Sequence, residues 1–246
     1  MASYNYRLGR KRMESILDNK LLIKEQDYLP IDKFFTFENG CYCWITSIFV
    51  DIRNSSVLFA NENKETVSKI IRCFSSEIIE ILRCDKNLRE IGIRGDCVYA
   101  IYTTPYQDDV YALLDKTFYI NTYMKMLNKL LESRSLPQIK VGIGMSTDKE
   151  LVIKAGHRKS GINSKVWIGK AVTRASNLSS LGNRNGNPAL VYSNYSYVNF
   201  KGNLKKYYYH QHPHDWFVQH EDEINGVFYT ADILKSGFEK WVINSN

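Results

Sequence analysis

Apolar positions change spacing along the chain, and the spacing predicts the elements. Val67, Ile70, Ile71, Phe74, Ile78, Ile81 and Leu82 recur every three or four residues, which predicts an amphipathic helix from Lys64 to Arg83. Val110, Leu113, Leu114, Met124, Leu127 and Leu131 predict a second helix from about Gln107 to Leu131. A third, Lys170 to Leu181, follows Gly169 and is closed by Gly182 and the Asn183-Arg184-Asn185-Gly186 turn. Between the helices lie β-rich runs. Tyr42 to Asp51 is an opening strand, and Leu88 to Tyr102 is two short strands meeting at a Gly95-Asp96 hairpin turn. Ile139 to Met145 alternates as a further strand. Leu151 to Ala155 and Lys165 to Ile168 read as short strands flanking a polar loop, Gly156 to Ser164. The Tyr-rich remainder reads as strand at Leu190 to Tyr192, Tyr207 to His210 and Val227 to Thr230.

The order β-α-β-β-α-β, with additions, predicts an α+β protein of the ferredoxin-like, split βαβ kind: one antiparallel sheet with helices on one face. Residues 1–40 form an arm with scattered apolar positions (Met13, Ile16, Leu17, Leu21, Leu22) and a stop at Pro30. It would dock on the domain or on a second subunit. Residues 41–246 form the domain, with a core at about 44–181 and C-terminal strands.

Composition narrows the class. With 44% hydrophobic and 24% charged residues, the 246-residue chain is an ordinary globular protein. No apolar run approaches the ~20 residues that span a bilayer. The basic N-terminus lacks the apolar core of a signal peptide, so a cytoplasmic protein is expected. Five cysteines at unpaired spacings read as reduced thiols rather than a zinc site. A net charge of +7 suits anionic partners, and charge alone does not separate nucleic acid from a nucleoside triphosphate. His210, His212 and His214 could bind a transition metal, but in a polar, Tyr-rich tail they read first as a loop.

The candidate chemistry starts at the opening strand. Its apolar run ends on Asp51, and Asn54-Ser55-Ser56 then offers helix caps whose free N–H groups suit phosphate. A carboxylate beside phosphate is repulsive unless a cation lies between them. Asp96 sits in the turn of the hairpin expected beside that strand. Alone, each Asp reads first as a helix cap or turn residue. Together they make a site for hard divalent cations such as Mg²⁺ or Mn²⁺.

Phe49-Val50-Asp51-Ile52-Arg53, Gly95-Asp96, Gly142-Ile143-Gly144 through Gly156, and Ile168-Gly169-Lys170-Ala171-Val172-Thr173-Arg174-Ala175-Ser176-Asn177-Leu178 resemble, in order, the blocks of class III nucleotidyl cyclases. The resemblance covers about Trp44 to Leu181. It implies that fold, and a homodimer with composite active sites. There two metal ions sit on Asp51, Asp96 and the Ile52 carbonyl, and the 3′-hydroxyl attacks the α-phosphorus of a nucleoside triphosphate. Backbone N–H groups of Arg53, Asn54, Ser55 and Ser56 would hold the outer phosphates.

Two departures matter. Where the family has an Asn for the ribose and an Arg for the transition-state phosphate, this chain has Thr173 and Asn177; Lys170 or Arg174 could supply the charge. Where purine cyclases carry their polar base-selecting pair, it has Gly92 and Val166. Arg94 shares strand parity with Gly92 and would aim guanidinium donors at pyrimidine carbonyls, although it also reads as an exposed salt-bridging residue. Tyr42 and Trp44 could contact a base but read first as core or interface aromatics. The pattern resembles the bacterial pyrimidine cyclases of anti-phage defence. These imply a cyclic UMP or cyclic CMP product and a separate effector that binds it, with UTP favoured here. CTP-specific and purine cyclases remain as alternatives, as does an inactive nucleotide-binding or dimerisation module. Direct membrane or nucleic-acid binding is not expected: RNA-binding sheets of this topology expose aromatics rather than carboxylates.

Overall fold

The computed structural model describes residues 4–157 and 161–245. The chain begins with α1 (Tyr6–Leu17), capped by the Asn5 side chain, which accepts from the Leu8 N–H at 3.1 Å. Strand β1 (Leu22–Glu25) then pairs in parallel with the start of β2 (Asn39–Ile52). The arm therefore docks on its own domain through β1, while α1 is almost wholly exposed.

After β2 come α2 (Ser55–Asn61), α3 (Lys64–Arg83), β3 (Leu88–Arg94), β4 (Cys97–Thr103) and α4 (Gln107–Glu132). Asn63 starts α3 by accepting from the Thr66 N–H at 2.9 Å. Gly95 turns the β3–β4 hairpin at φ 61, a left-handed conformation that glycine adopts without strain. The chain continues with β5 (Val141–Gly156), β6 (Asn163–Ile168), α5 (Ala171–Leu181), β7 (Leu190–Ser193) and α6 (Asn194–Tyr207). Two short 3-10 turns, β8 (Val218–Asp222), β9 (Gly226–Ala231) and α7 (Ser236–Asn244) complete it.

Strand order is β3-β4-β2-β5-β7-β9-β8, with β1 on β2 and β6 on β5. The long central β2 divides its residues by parity. Ile48, Val50 and Ile52 join Ile70, Phe74, Ile78 and Leu114 in the main core under α3 and α4. Cys41, Cys43 and Ile45 face the other way, towards Val152 and Ala171 of α5.

The expectation of helices on one face is thus corrected: α5 packs on the opposite face. Gly142 and Gly144 make this possible. A Cβ on Gly142 would lie 1.9 Å from the Ser179 carbonyl oxygen, and one on Gly144 would lie 2.1 Å from that of Ala175. The sheet is not wholly antiparallel, because β1–β2 and β5–β7 run parallel. Val141–Gly156 is one strand rather than two, since the polar run at 146–150 continues to pair with β2. Gly182 ends α5 at φ −65, so it is not a left-handed cap. It is needed because a Cβ there would meet the Ala189 carbonyl oxygen at 2.4 Å. The expected strand at Tyr207 to His210 is instead the end of α6 followed by a 3-10 turn. Tyr197, Phe200 and Leu204 keep helical spacing there, and Phe200 and Leu204 are buried in the main core. The loop expected at Gly156 to Ser164 includes residues 158–160, which lie outside the described residues.

Candidate active site

The site lies on the α5 face of the sheet, where β2, β4 and β3 run side by side. Register sets out two rows of side chains. Asp51 pairs with Cys97, which pairs with Arg94; Phe49 pairs with Tyr99, which pairs with Gly92. Directly opposed residues share a face, so Asp51, Arg94 and Gly92 lie on one side, as strand parity predicted. Asp96 is in the adjoining turn, and its carbonyl accepts from the Ile52 N–H at 3.3 Å, tying the hairpin tip to the end of β2. The two aspartates therefore meet. Burial pushes the Asp51 carboxyl up and the neighbouring Asp96 charge pushes the same way, while Arg53 and Arg184 oppose them.

Arg53 has a different place from the one expected. Its N–H donates to the Lys140 carbonyl at 2.8 Å, so that group is not free for phosphate. Its buried guanidinium instead forms an ion pair with Asp51 through Nη2 and Oδ2, and donates from Nη1 to the Ser180 carbonyl at 2.8 Å. Asn54 follows at φ 53, and Ser55 and Ser56 open α2. Arg184, in the turn after α5, adds a second positive charge near Asp51. Sequence reasoning passed over it because a turn residue carries no periodic signal.

Asp51 and Asp96 fit a hard cation chemically, because both offer carboxylate oxygens. Among the described residues no cluster of three or more His, Cys, Asp or Glu side chains forms. The other ligands would then be the Ile52 carbonyl, water and substrate phosphate, the usual company of Mg²⁺.

Helix α5 reaches this end of the sheet only through its last turn. Ser180 touches Arg53, whereas Lys170 lies ten residues earlier, about 15 Å along the axis. Lys170, Thr173 and Asn177 are exposed. Arg174 turns away: its Nη2 lies 3.8 Å from where a Cβ on Gly226 would sit, so it belongs beside the β8–β9 turn. The start of α5 is held by the fully buried Glu150, whose Oε1 accepts from the Val172 N–H at 3.2 Å. No side chain at the helix's own N-cap does this.

At the other row, Tyr99 stacks on Phe49 with ring centroids 5.3 Å apart and 18° between planes. Its hydroxyl donates to Glu90 Oε1 at 2.8 Å, and Trp167 Nε1 donates to Glu90 Oε2 at 2.8 Å. Arg94 lies over the Tyr99 ring, 6.0 Å from its centroid. Val166 does not join this group. It pairs with Ile153 while Trp167 pairs with Val152, so alternation turns Trp167 towards Glu90 and Val166 to the opposite face. His210 and His214 lie in the two 3-10 turns after α6 and His212 between them, outside this cluster.

The fold is that of the class III nucleotidyl cyclases. The structure aligns with the adenylyl cyclase CyaB from P. aeruginosa at a TM-score of 0.61 and 18% identity, covering 78% of this chain and 95% of that one. No family model matches the chain. A uridylate cyclase from Treponema porcinum is 46% identical over 239 residues, 97% of this chain and 81% of the relative. A second, from Gulbenkiania mobilis, is 32% identical over 186 residues, 73% of this chain and 72% of the relative. The chain belongs to the uridylate cyclase family.

Proposed function

We propose that the chain cyclises UTP to 3′,5′-cyclic UMP with release of pyrophosphate, dependent on two divalent cations, Mg²⁺ or Mn²⁺. The observation that carries this reading is the 46% identity to a uridylate cyclase across 97% of the chain. Support for the cations comes from Asp51 and Asp96 at one strand end. When bound, the ions would acidify the attacking 3′-hydroxyl and neutralise charge on the triphosphate.

The chain's own residues orient and enclose. Arg53 fixes the Asp51 carboxylate, and Asn54 to Ser56 line the path of the outer phosphates. The 3′-oxygen bonds to the α-phosphorus as the bond to the pyrophosphate oxygen breaks, and the hydroxyl proton passes to water. Positioning and electrostatics carry such a step, so no dedicated side-chain base is required. The exposed Lys170, Thr173 and Asn177, with Lys170 remote from Asp51 along α5, suit a homodimer in which a second copy completes each site. As in the anti-phage cyclases it resembles, the product would act in the cytoplasm on a separate effector.

Incubation with each of the four NTPs and Mn²⁺, with product separation, tests this. Cyclic UMP as main product is expected; purine-only turnover overturns it.

A further inference from the structure

We propose that Tyr99, clamped by Glu90, is the wall that restricts the base end of the site to a single-ring base. This rests on the pyrimidine reading above and deepens it. The ring is held on several sides: stacked on Phe49, bonded through its hydroxyl to Glu90, and covered by the Arg94 guanidinium. Glu90 cannot release it freely, because its other oxygen accepts from Trp167.

Gly92 closes the argument. A Cβ at that position would lie 2.8 Å from Tyr99 Cε1 and 2.8 Å from its hydroxyl oxygen. A side chain at 92 would therefore push this ring out of its place against Phe49 and Glu90. Tyr99 stands two residues along β4 from Cys97, the partner of Asp51. It is displaced from the carboxylates by about 7 Å, on the same face. That offset leaves room for a ribose between the phosphates and the wall. A second fused ring would meet Tyr99, while the exposed Arg94 offers donors to the carbonyls of a smaller base.

The test compares kcat/KM for UTP, CTP, ATP and GTP in wild type, Tyr99→Ala, Tyr99→Phe and Glu90→Ala. The pyrimidine-to-purine ratio within one preparation is independent of how much of it is folded. Tyr99→Ala should lower that ratio about ten-fold or more; Tyr99→Phe and Glu90→Ala, which both keep the ring but lose the bond that holds it, should lower it by a smaller factor of about three-fold. For a variant without turnover, competition binding of UTP against ATP reads the same ratio. An unchanged ratio in Tyr99→Ala overturns the proposal, as does one unchanged in both Tyr99→Phe and Glu90→Ala, or one that falls as far in these two as in Tyr99→Ala. A wild type acting on purines alone refutes the pyrimidine reading instead, and is seen without any variant.

Discussion

Arg53 and Asp51 form an ion pair in which the guanidinium also reaches Ser180, so one side chain joins the tip of β2 to the last turn of α5. The arginine side chain is 5% exposed and the aspartate 29%. One carboxylate of the site is thus oriented before any cation or substrate arrives.

Removing Arg53 should cost stability as well as activity. Breaking a buried pair leaves an uncompensated charge, at about 3–5 kcal/mol, and the partial exposure of Asp51 places Arg53→Met at the lower end. Arg53→Lys should recover only part of this, because an ammonium cannot reach Asp51 and Ser180 in one fork. Urea denaturation of the three proteins measures the order.

Asp51→Asn keeps the size of the side chain while weakening its hold on cations. Product formation from UTP with Mn²⁺ should fall by about 10³-fold, and Asp96→Asn should behave alike. Isothermal titration with Mn²⁺ should show weakened binding in both, which separates loss of the ion from loss of fold.

Two glycines should respond in opposite directions. Gly144→Ala places a methyl 2.1 Å from the Ala175 oxygen and 2.3 Å from the Ser179 nitrogen, backbone atoms that cannot rotate away. Overpacking of about 1–3 kcal/mol is expected, with α5 lifted from the sheet. Gly202, inside α6, has nothing within 4 Å of an added Cβ. Gly202→Ala should therefore stabilise the protein by roughly 0.5–1 kcal/mol. Thermal melts of both variants check the signs.

Glu150 should leave a mark on the pH dependence of stability. Burial pushes its carboxyl up, opposed by the N–H groups of Val172 and Ala171 and reinforced by Asp148. A raised folded-state value means that the native state holds the proton more tightly than the unfolded chain. Its stabilising contribution is full below the ordinary Glu range and is lost as pH rises through the folded value. Glu150→Gln removes this loss. The stability of wild type relative to Glu150→Gln should therefore decline from about pH 4.5 upward, measured by denaturation at a series of pH values.

The helices at Lys64–Arg83 and Gln107–Glu132 were legible because their apolar stripes are local and periodic. The hairpin at Gly95 was legible because turn chemistry is local too. Helix α6 was obscured by its aromatic content, as Tyr-rich stretches read as strand until Phe200 and Leu204 find the core. Asp51 and Asp96 could be paired from topology alone. Arg184, Glu150 and the Tyr99–Glu90–Trp167 group could not, because each acts through partners far away in sequence.

The sequence by itself determined the order of the core elements from β2 to α4, the split βαβ class and the two carboxylates at one strand end, since these follow from periodicity, turns and strand parity. Only the tertiary structure decided that α5 crosses the opposite face, that Arg53 turns inward to Asp51 rather than offering its N–H to phosphate, and that Trp167 rather than Val166 faces the site. The reason is register. A one-residue choice in pairing reverses every side chain along a strand, and that choice is made by contacts the local pattern does not contain.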